Sequence, residues 1–182
     1  NVIKGINANC PKDDQAGAFA VPEELQFLLD NKFLGNKTGQ GFYKKEGKDI
    51  LSLDLDTLEY RAAKKASFAT LELTKTIDKP IDRFKVLVKG KDKAGDFYRK
   101  NFSAMFAYCS NRVPEITDEF YKIDDAMKAG FGWENGPFEI WDAIGVEKGI
   151  ELMKTEGYEP ASWVTEMIAS GNKGKLVGIP MV

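Results

Sequence analysis

Histidine is absent from the 182-residue sequence, and cysteine occurs only twice. The lack of histidine removes imidazole metal ligands, Ser–His and Cys–His nucleophile pairs, and the commonest general base at neutral pH. Cys10 and Cys109 form no C-x-x-C motif and lie far apart, so we predict neither a disulfide framework nor a zinc site. Much metal and nucleophilic catalysis is therefore excluded before any motif is considered.

Long apolar runs and an excess of one charge are also missing. The apolar stretches are far shorter than the ~20 residues that cross a bilayer, and no signal-peptide pattern opens the chain. We therefore predict a soluble protein of the cytoplasm with no membrane span. The 26 Lys and Arg against 28 Asp and Glu give a formal net charge of −2, which offers little support for nucleic-acid binding.

The first third of the sequence mixes helical and strand patterns. VIKGINANC has apolar residues at helical spacing without a capping residue, so we expect the chain to be a fragment that begins inside a helix. A helix is predicted over 22–31, opened by a proline. Its expected buried residues are Leu25, Leu28 and Leu29. Phe42 and Tyr43 precede a run in which Leu51, Leu53 and Leu55 alternate with polar residues, which predicts a small β-hairpin.

The rest of the sequence is predicted to be helical. The predicted helices span residues 67–77, 80–88, 92–116, 121–129, 137–144, 146–156 and 160–170. Ser67 and Asp92 are the expected N-caps of the first and third of these, and Pro114 should kink or end the third. The predicted fold is an all-α helical bundle with one small β-hairpin. We divide it into residues 1–56, a linker with connecting helices over 57–90, and a second helical part over 91–182.

Two segments of the chain are similar to each other. PEELQFLLDNKFLGNKTGQGF and PASWVTEMIASGNKGKLVG both open with proline, continue as a predicted helix and reach GNK followed closely by glycine. The shared order of helix and turn predicts a structural repeat. The chain would then begin inside one repeat and contain most of a second.

The string DDAMKAGFGWENGPFEIWDAIG is dense in helix punctuation and aromatic residues. It predicts a tight corner between two helices, packed on Phe131, Trp133, Phe138 and Trp141. The less favoured alternative is a metal site built from Asp124, Asp125, Glu139 and Asp142. We predict no metal, because none of these carboxylates has a histidine neighbour.

Two further polar clusters have alternative interpretations. In GNKTGQGFYKK, Lys37 and the amides of a glycine turn could hold a phosphate, but the residue types alone favour a plain turn because the P-loop order is missing. Ser110, Asn111 and Arg112 interrupt an otherwise apolar helix. They form either an exposed or capping cluster before Pro114 or a polar pocket on the helix face.

Two of these strings resemble a known family. GNKTGQGFYKK is similar to the G-x-K-T-G-x-G-F-Y string that closes the helical C-terminal domain of 3-hydroxyacyl-CoA dehydrogenases, a fold of the 6-phosphogluconate dehydrogenase C-terminal type. DDAMKAGFGWENGPFEIWDAIG resembles an internal string of the same domain. Their order implies the tail of one domain followed by most of another, as in multifunctional β-oxidation enzymes that also carry an enoyl-CoA hydratase. The likeness covers roughly residues 1–170, and KGKLVGIPMV fits it less well.

The resemblance implies NAD-dependent oxidation of an L-3-hydroxyacyl-CoA to a 3-ketoacyl-CoA in fatty-acid β-oxidation. In this family a histidine base and its glutamate partner belong to the dinucleotide-binding domain. This chain has no histidine and no G-x-G-x-x-G motif, so we assign no catalytic residue and expect the chain alone to be inactive. Lys37 is carried over as the cofactor-adjacent residue, with Thr38, Gly39 and Gly41 shaping its turn.

The resemblance also implies partners for the chain. They are the dinucleotide-binding domain of the same polypeptide and an acyl-CoA substrate, for which the chain would scaffold the cleft. We expect a homodimer, with the 92–116 helix and the four aromatic residues of the corner at the contact. The alternative function is a non-catalytic helical protein-interaction module, and a third is a stand-alone hydrolase that uses carboxylates.

Overall fold

The chain forms two compact units, Asn1–Ala66 and Ser67–Val182, in a computed structural model that describes residues 2–171 and residue 176. The first unit combines short helices with a small sheet, and the second is a helical bundle. The predicted all-α class with a small β element is therefore confirmed. The three-part division into 1–56, 57–90 and 91–182 stays a prediction.

The first unit opens with helices α1 (Val2–Asn9) and α2 (Glu23–Asp30). Pro22, predicted as the first helical residue, is instead the N-cap of α2, and the helix begins one residue later. Leu28 is buried, but Leu29 is 42% exposed, so the predicted buried stripe is wrong at Leu29. After α2, the chain returns with Phe33 packed edge-on against Phe27, on the side of the helix opposite to Leu29.

A three-stranded antiparallel sheet follows, in the order β1 (Tyr43–Glu46), β2 (Asp49–Leu53) and β3 (Tyr60–Ala62). The first two strands are the predicted hairpin. The third comes from the segment predicted as linker, and a turn built on Asp54 connects it to β2. The Asp54 carboxylate accepts hydrogen bonds from the Asp56 and Thr57 amides and pairs with Arg61 at 2.5 Å. The Arg61 hydrogen bond holds the pKa of Asp54 below its usual value.

The second unit has seven helices among its described residues. They are α3 (Ala69–Thr74), α4 (Pro80–Leu87), α5 (Lys93–Ile116), α6 (Tyr121–Phe131), α7 (Pro137–Ile144), α8 (Val146–Thr155) and α9 (Ser162–Ala169). The core forms around α5, where the Phe106 ring stacks on Phe102 at 5.9 Å and on Trp141 at 4.9 Å. Phe120, Phe138 and Trp163 form a second aromatic group in the same core.

Asp92 caps two helices at once. One carboxylate oxygen accepts from the Gly95 amide at 3.0 Å, which confirms it as the N-cap of α5. The other accepts from the Thr70 amide at 3.0 Å in the first turn of α3. Ser67 was predicted to cap α3, but the helix starts two residues later and Phe68 occupies the N-cap position without a side-chain bond. The Asp92 carboxylate, which is distant in sequence, therefore accepts the hydrogen bond from the start of α3 that was expected to go to Ser67.

Helix α5 runs past Pro114 and ends at Ile116, so the proline does not end it at once. Because proline has no N–H, the Ser110 carbonyl one turn earlier lacks its usual partner within the helix. The Trp163 indole N–H donates to that carbonyl at 2.9 Å. Helix α9 therefore packs against α5 at the Ser110 carbonyl, which has no partner within its own helix.

The helices of residues 2–171 include none with the length and apolar character needed to cross a bilayer.

Candidate functional site

Lys37 lies in the first unit, in a 3-10 turn formed by Asn36–Thr38. Two glycines with positive φ flank the turn, Gly35 at 84° and Gly39 at 80°. Such angles strain any residue that has a Cβ atom, which explains the spacing of glycines in GNKTGQG. A third glycine, Gly41, is required by contact, because a Cβ atom there would lie 2.9 Å from the Gly35 backbone.

The Thr38 hydroxyl holds the turn together. It accepts a hydrogen bond from the Leu34 amide at 2.8 Å and lies 3.2 Å from the Gln40 carbonyl, to which it can donate. The Gly35 amide also donates to the Gln40 carbonyl, at 2.8 Å. Thr38, Gly39 and Gly41 therefore have structural roles in shaping the turn.

The Lys37 side chain is exposed. Within residues 2–171 it has no hydrogen-bond or ion-pair partner, and the Asn36 and Lys37 amides donate to no acceptor there. An ammonium group beside open amide donors can contact an anionic oxygen, such as that of a phosphate. The turn fits a contact with such a group, and cofactor binding at Lys37 stays a prediction.

The predicted corner between two helices is present at α6 and α7. Asp124, buried on α6, accepts from the Phe138 amide at 2.8 Å and from the Glu139 amide at 3.0 Å. Glu139 in turn accepts from the Gly136 amide at 2.9 Å and pairs with Lys128 at 2.7 Å. The carboxylates thus satisfy the open amides at the start of α7 and join it to α6.

Burial raises the pKa of Asp124 to about 6, against the two amide hydrogen bonds, which lower it. Asp125 contacts Lys128 at 3.3 Å, and Asp142 accepts from the Leu176 amide at 2.5 Å. Each of the four carboxylates is therefore engaged by a lysine or by backbone amides, and Lys128 is shared by Asp125 and Glu139. The described residues contain no group of three or more side chains able to hold a metal ion.

The aromatic part of the corner differs from the prediction. Phe138 and Trp141 are fully buried, but Phe131 is 75% exposed and Trp133 is 39% exposed. Phe131 is the last residue of α6, and Trp133 follows Gly132, whose positive φ of 67° ends the helix, so both residues lie at the exposed end of α6. Phe106 of α5 and Phe120 of the segment between α5 and α6 pack beside Trp141 and Phe138 instead.

The polar residues that interrupt the apolar pattern of α5 are Ser110, Asn111 and Arg112, and Ser110 contributes to the packing of α9. Ser110 is fully buried, donates to the Ala107 carbonyl at 3.0 Å and accepts from the Ala161 amide at 3.3 Å. Asn111 also donates to Ala107, at 2.9 Å, and Arg112 pairs with Glu115 at 2.6 Å. The capping interpretation fits Ser110, which accepts from the amide at the start of α9, whereas Arg112 lines a cavity on the face of α5.

Both helices of the predicted repeat lie within the described residues. Helices α2 and α9 have eight residues each and follow a proline closely. Most of the second GNK turn, and the KGKLVGIPMV tail except residue 176, lie outside the described residues. The repeat stays a prediction.

The helical second unit and its α6–α7 corner are similar to known proteins. Residues 97–181 match the family model described as 3-hydroxyacyl-CoA dehydrogenase, C-terminal domain. The chain is 39% identical over 160 residues to a probable 3-hydroxyacyl-CoA dehydrogenase of Bacillus subtilis (strain 168). It is also 28% identical over 120 residues to a putative fatty acid oxidation complex trifunctional enzyme of Rickettsia felis. No solved structure matches the chain.

These matches support the 3-hydroxyacyl-CoA dehydrogenase family. The Bacillus match covers 88% of this chain and 20% of that protein, and the Rickettsia match covers 64% and 15%. The chain therefore spans a fifth or less of the relatives it matches. The matched family range begins in α5 and contains the whole α6–α7 corner, where the family-like string lies.

Proposed function

We propose that the chain is a C-terminal helical part of an NAD-dependent 3-hydroxyacyl-CoA dehydrogenase of fatty-acid β-oxidation, located in the cytoplasm. The observation that carries this proposal is the match of residues 97–181 to the C-terminal domain of that family. The Bacillus relative, similar over 88% of the chain, supports it. The name of the Rickettsia relative supports a parent polypeptide that combines several activities.

Under this proposal the rest of the polypeptide supplies the dinucleotide-binding domain and the catalytic base. NAD, when bound there, accepts the hydride from the substrate. This chain has no histidine, so its own residues act by scaffolding the acyl-CoA cleft and contacting the cofactor. Lys37 is the residue we assign to the cofactor contact, because its exposed ammonium lies beside open amide donors.

Activity of the parent polypeptide tests the proposal. The full-length protein should oxidise an L-3-hydroxyacyl-CoA with NAD, whereas this chain alone should give no measurable turnover. Turnover by the purified chain alone would contradict the assignment of catalysis to the rest of the polypeptide. An inactive, folded full-length protein would favour the alternative, a non-catalytic helical interaction module.

Substitution of Lys37 tests the cofactor contact. Lys37→Ala in the full-length protein should weaken NAD binding by about 1–3 kcal/mol, the range for a charge-assisted hydrogen bond. Lys48→Ala is the matched control, because Lys48 is an exposed lysine in the hairpin turn of the same unit. Isothermal titration calorimetry with NAD measures both variants. Equal affinities for the two would leave Lys37 a structural residue of its turn.

We also propose that the chain forms a homodimer. Two large apolar side chains of the predicted contact region support this: Phe97 of α5 and Phe131 of the corner are at least 60% exposed. Phe138 and Trp141 are buried within their own unit, so the contact surface we predicted is revised to exclude them.

A further inference from the structure

A groove between α5 and α6 has a mainly apolar lining. Its volume is about 620 Å³, within the range of ~300–1,000 Å³ that is typical of small-molecule sites. Cys109, Ile116, Ile123, Ala126 and Met127 form its apolar lining. Burial raises the pKa of the Cys109 thiol to about 12, so this side chain is neutral at physiological pH and adds to the apolar surface.

Two cations line the same groove, and its lining by the described residues includes no carboxylate. They are Arg112 and Lys122, one on each helix. The Arg112 guanidinium lies 5.3 Å from the centre of the Tyr108 ring, a contact that helps to hold it at the groove wall. An anion in the groove would compete with the carboxylates that already pair with these cations: Glu115, the partner of Arg112, has 63% of its side chain exposed, and Glu119, the partner of Lys122, has 43% exposed. Such ion pairs contribute little in water.

The shape of the groove limits the occupant. Helices α5 and α6 are joined by the short segment 117–120, and Thr117 of that segment lines the groove. The groove is therefore bounded at one end by the connection. This arrangement suits the end of a flexible apolar chain better than a continuous peptide helix, which must leave at both ends.

We propose that this groove binds a free single-chain amphiphile with an anionic head, an alkyl chain that carries a carboxylate. The alkyl chain would cover Ile123 and Met127, and the carboxylate would pair with Lys122 or Arg112. Such binding is independent of the role of Lys37, since the groove lies within α5 and α6 of the second unit.

Decanoate and decanol, both below their aggregation concentrations, are the probes for titration calorimetry with the 182-residue chain. Decanoate should bind more tightly than decanol. Ala126→Trp should weaken decanoate at least about tenfold, because the indole fills the groove from an exposed position. Ala129→Trp is the matched control: Ala129 is exposed on the same helix but does not line the groove, and this variant should bind as the wild type does.

A second pair of variants tests the charge. Lys122→Gln should weaken decanoate by about threefold and leave decanol unchanged, as expected for an exposed ion pair. Lys100→Gln, an exposed lysine of α5 outside the groove, should change neither. Circular dichroism should show the same helix content in all variants.

Chemical modification of the two cysteines tests the binding of decanoate in the wild-type chain. Bound decanoate should slow methanethiosulfonate modification of Cys109, which lines the groove, but not of the exposed Cys10. Equal protection of both thiols, or equal binding of decanoate by Ala126→Trp and Ala129→Trp, would overturn the proposal. Binding of the chain to anionic vesicles would also overturn the proposal, if Ala126→Trp abolishes this binding and decanoate does not compete with it. The occupant would then be a lipid surface.

Discussion

Two serines of α5, Ser103 and Ser110, are fully buried, and their hydroxyl groups have opposite surroundings. Ser110 makes hydrogen bonds to Ala107 and from Ala161. The Ser103 hydroxyl has no partner among the described residues. A buried polar group without a hydrogen bond costs free energy, whereas a satisfied one stabilises the fold. Ser103 and Ser110 therefore allow the cost of an unsatisfied hydroxyl and the gain from a satisfied one to be measured in the same helix.

Replacing each serine by alanine should change stability in opposite directions. Ser103→Ala should leave the free energy of unfolding unchanged or raise it by up to ~1 kcal/mol, because an unsatisfied hydroxyl is removed. Ser110→Ala should lower it by about 1–3 kcal/mol, because the buried Ala161 amide loses its acceptor. Urea denaturation followed by circular dichroism measures both. Equal losses in the two variants would contradict this account.

At single residues, the sequence predicted local roles better than distant ones. Asp92 was recognised as the cap of α5, because the amide it accepts from is only three residues away. Its second bond, to the Thr70 amide, could not be predicted, since it depends on how α3 packs. The same limit applies to Phe131 and Trp133, whose exposure depends on which residues pack beside Phe138 and Trp141 in three dimensions.

At the scale of elements, Asp92 links the starts of α3 and α5, and its charge makes that link sensitive to acid. The Thr70 and Gly95 amides donate to its carboxylate and lower its pKa from 3.8 to about 2. A carboxylate with a lowered pKa in the folded state stabilises that state when ionised. Its contribution is present above about pH 4 and is lost as the pH falls from there to about 2.

Asp92→Asn should remove this dependence. The variant keeps one acceptor oxygen but no charge, so it should be less stable than the wild type at neutral pH. The difference in free energy of unfolding between the two proteins should shrink as the pH falls from 4 to 2, because protonation then removes the charge from the wild type as well. Denaturant titrations at a series of pH values measure the difference, and a constant difference would contradict the prediction.

Two glycines in helices of the second unit form another matched pair. A Cβ atom at Gly149 of α8 would lie 2.1 Å from the indole nitrogen of Trp141, a buried group that donates to the Val146 carbonyl at 3.0 Å. A Cβ atom at Gly130 of α6 would meet nothing within 4 Å. Gly149 therefore permits the close approach of α7 and α8, whereas Gly130 has no such packing role.

Alanine at these positions should have opposite effects. Gly149→Ala should destabilise the second unit by about 1–3 kcal/mol, because the core must shift to admit the methyl group. Gly130→Ala should stabilise it by up to about 1 kcal/mol through helix propensity. Thermal unfolding monitored by circular dichroism measures both, and a loss of stability in Gly130→Ala would show that the position has a role its open surroundings do not indicate.

The helices of the second unit were predicted closely, because apolar spacing and punctuation by proline and glycine are local signals. Helix α7, for example, begins at Pro137 and ends at Ile144, as its sequence predicts. Strand β3 was missed, since three residues carry too short an alternation and the strand forms only by pairing with β2. The groove was missed as well, because its lining combines two helices.

At the scale of the whole molecule, exposed apolar residues favour self-association. Sedimentation equilibrium over a broad concentration range should show a dimer of the 20.3 kDa chain. Phe131→Glu should weaken the dimer, because it places a charge on the proposed contact surface. Leu73→Glu, a change at an apolar residue of α3 that is 66% exposed and lies outside that surface, is the control. A single monomeric species at high micromolar concentration would contradict the prediction.

The two hydrogen bonds that Ser110 accepts from the start of α9 have a consequence for fold specificity. The Ala161 amide and the Trp163 indole both donate to Ser110, one to its hydroxyl and one to the carbonyl that Pro114 leaves open. If α9 slid along α5 by one residue, it would lose both bonds together and leave buried polar groups unpaired. Nonspecific apolar contacts would allow a shift of one residue, but these two hydrogen bonds would be broken by it. The proline thus makes α5 selective for one register of its partner helix.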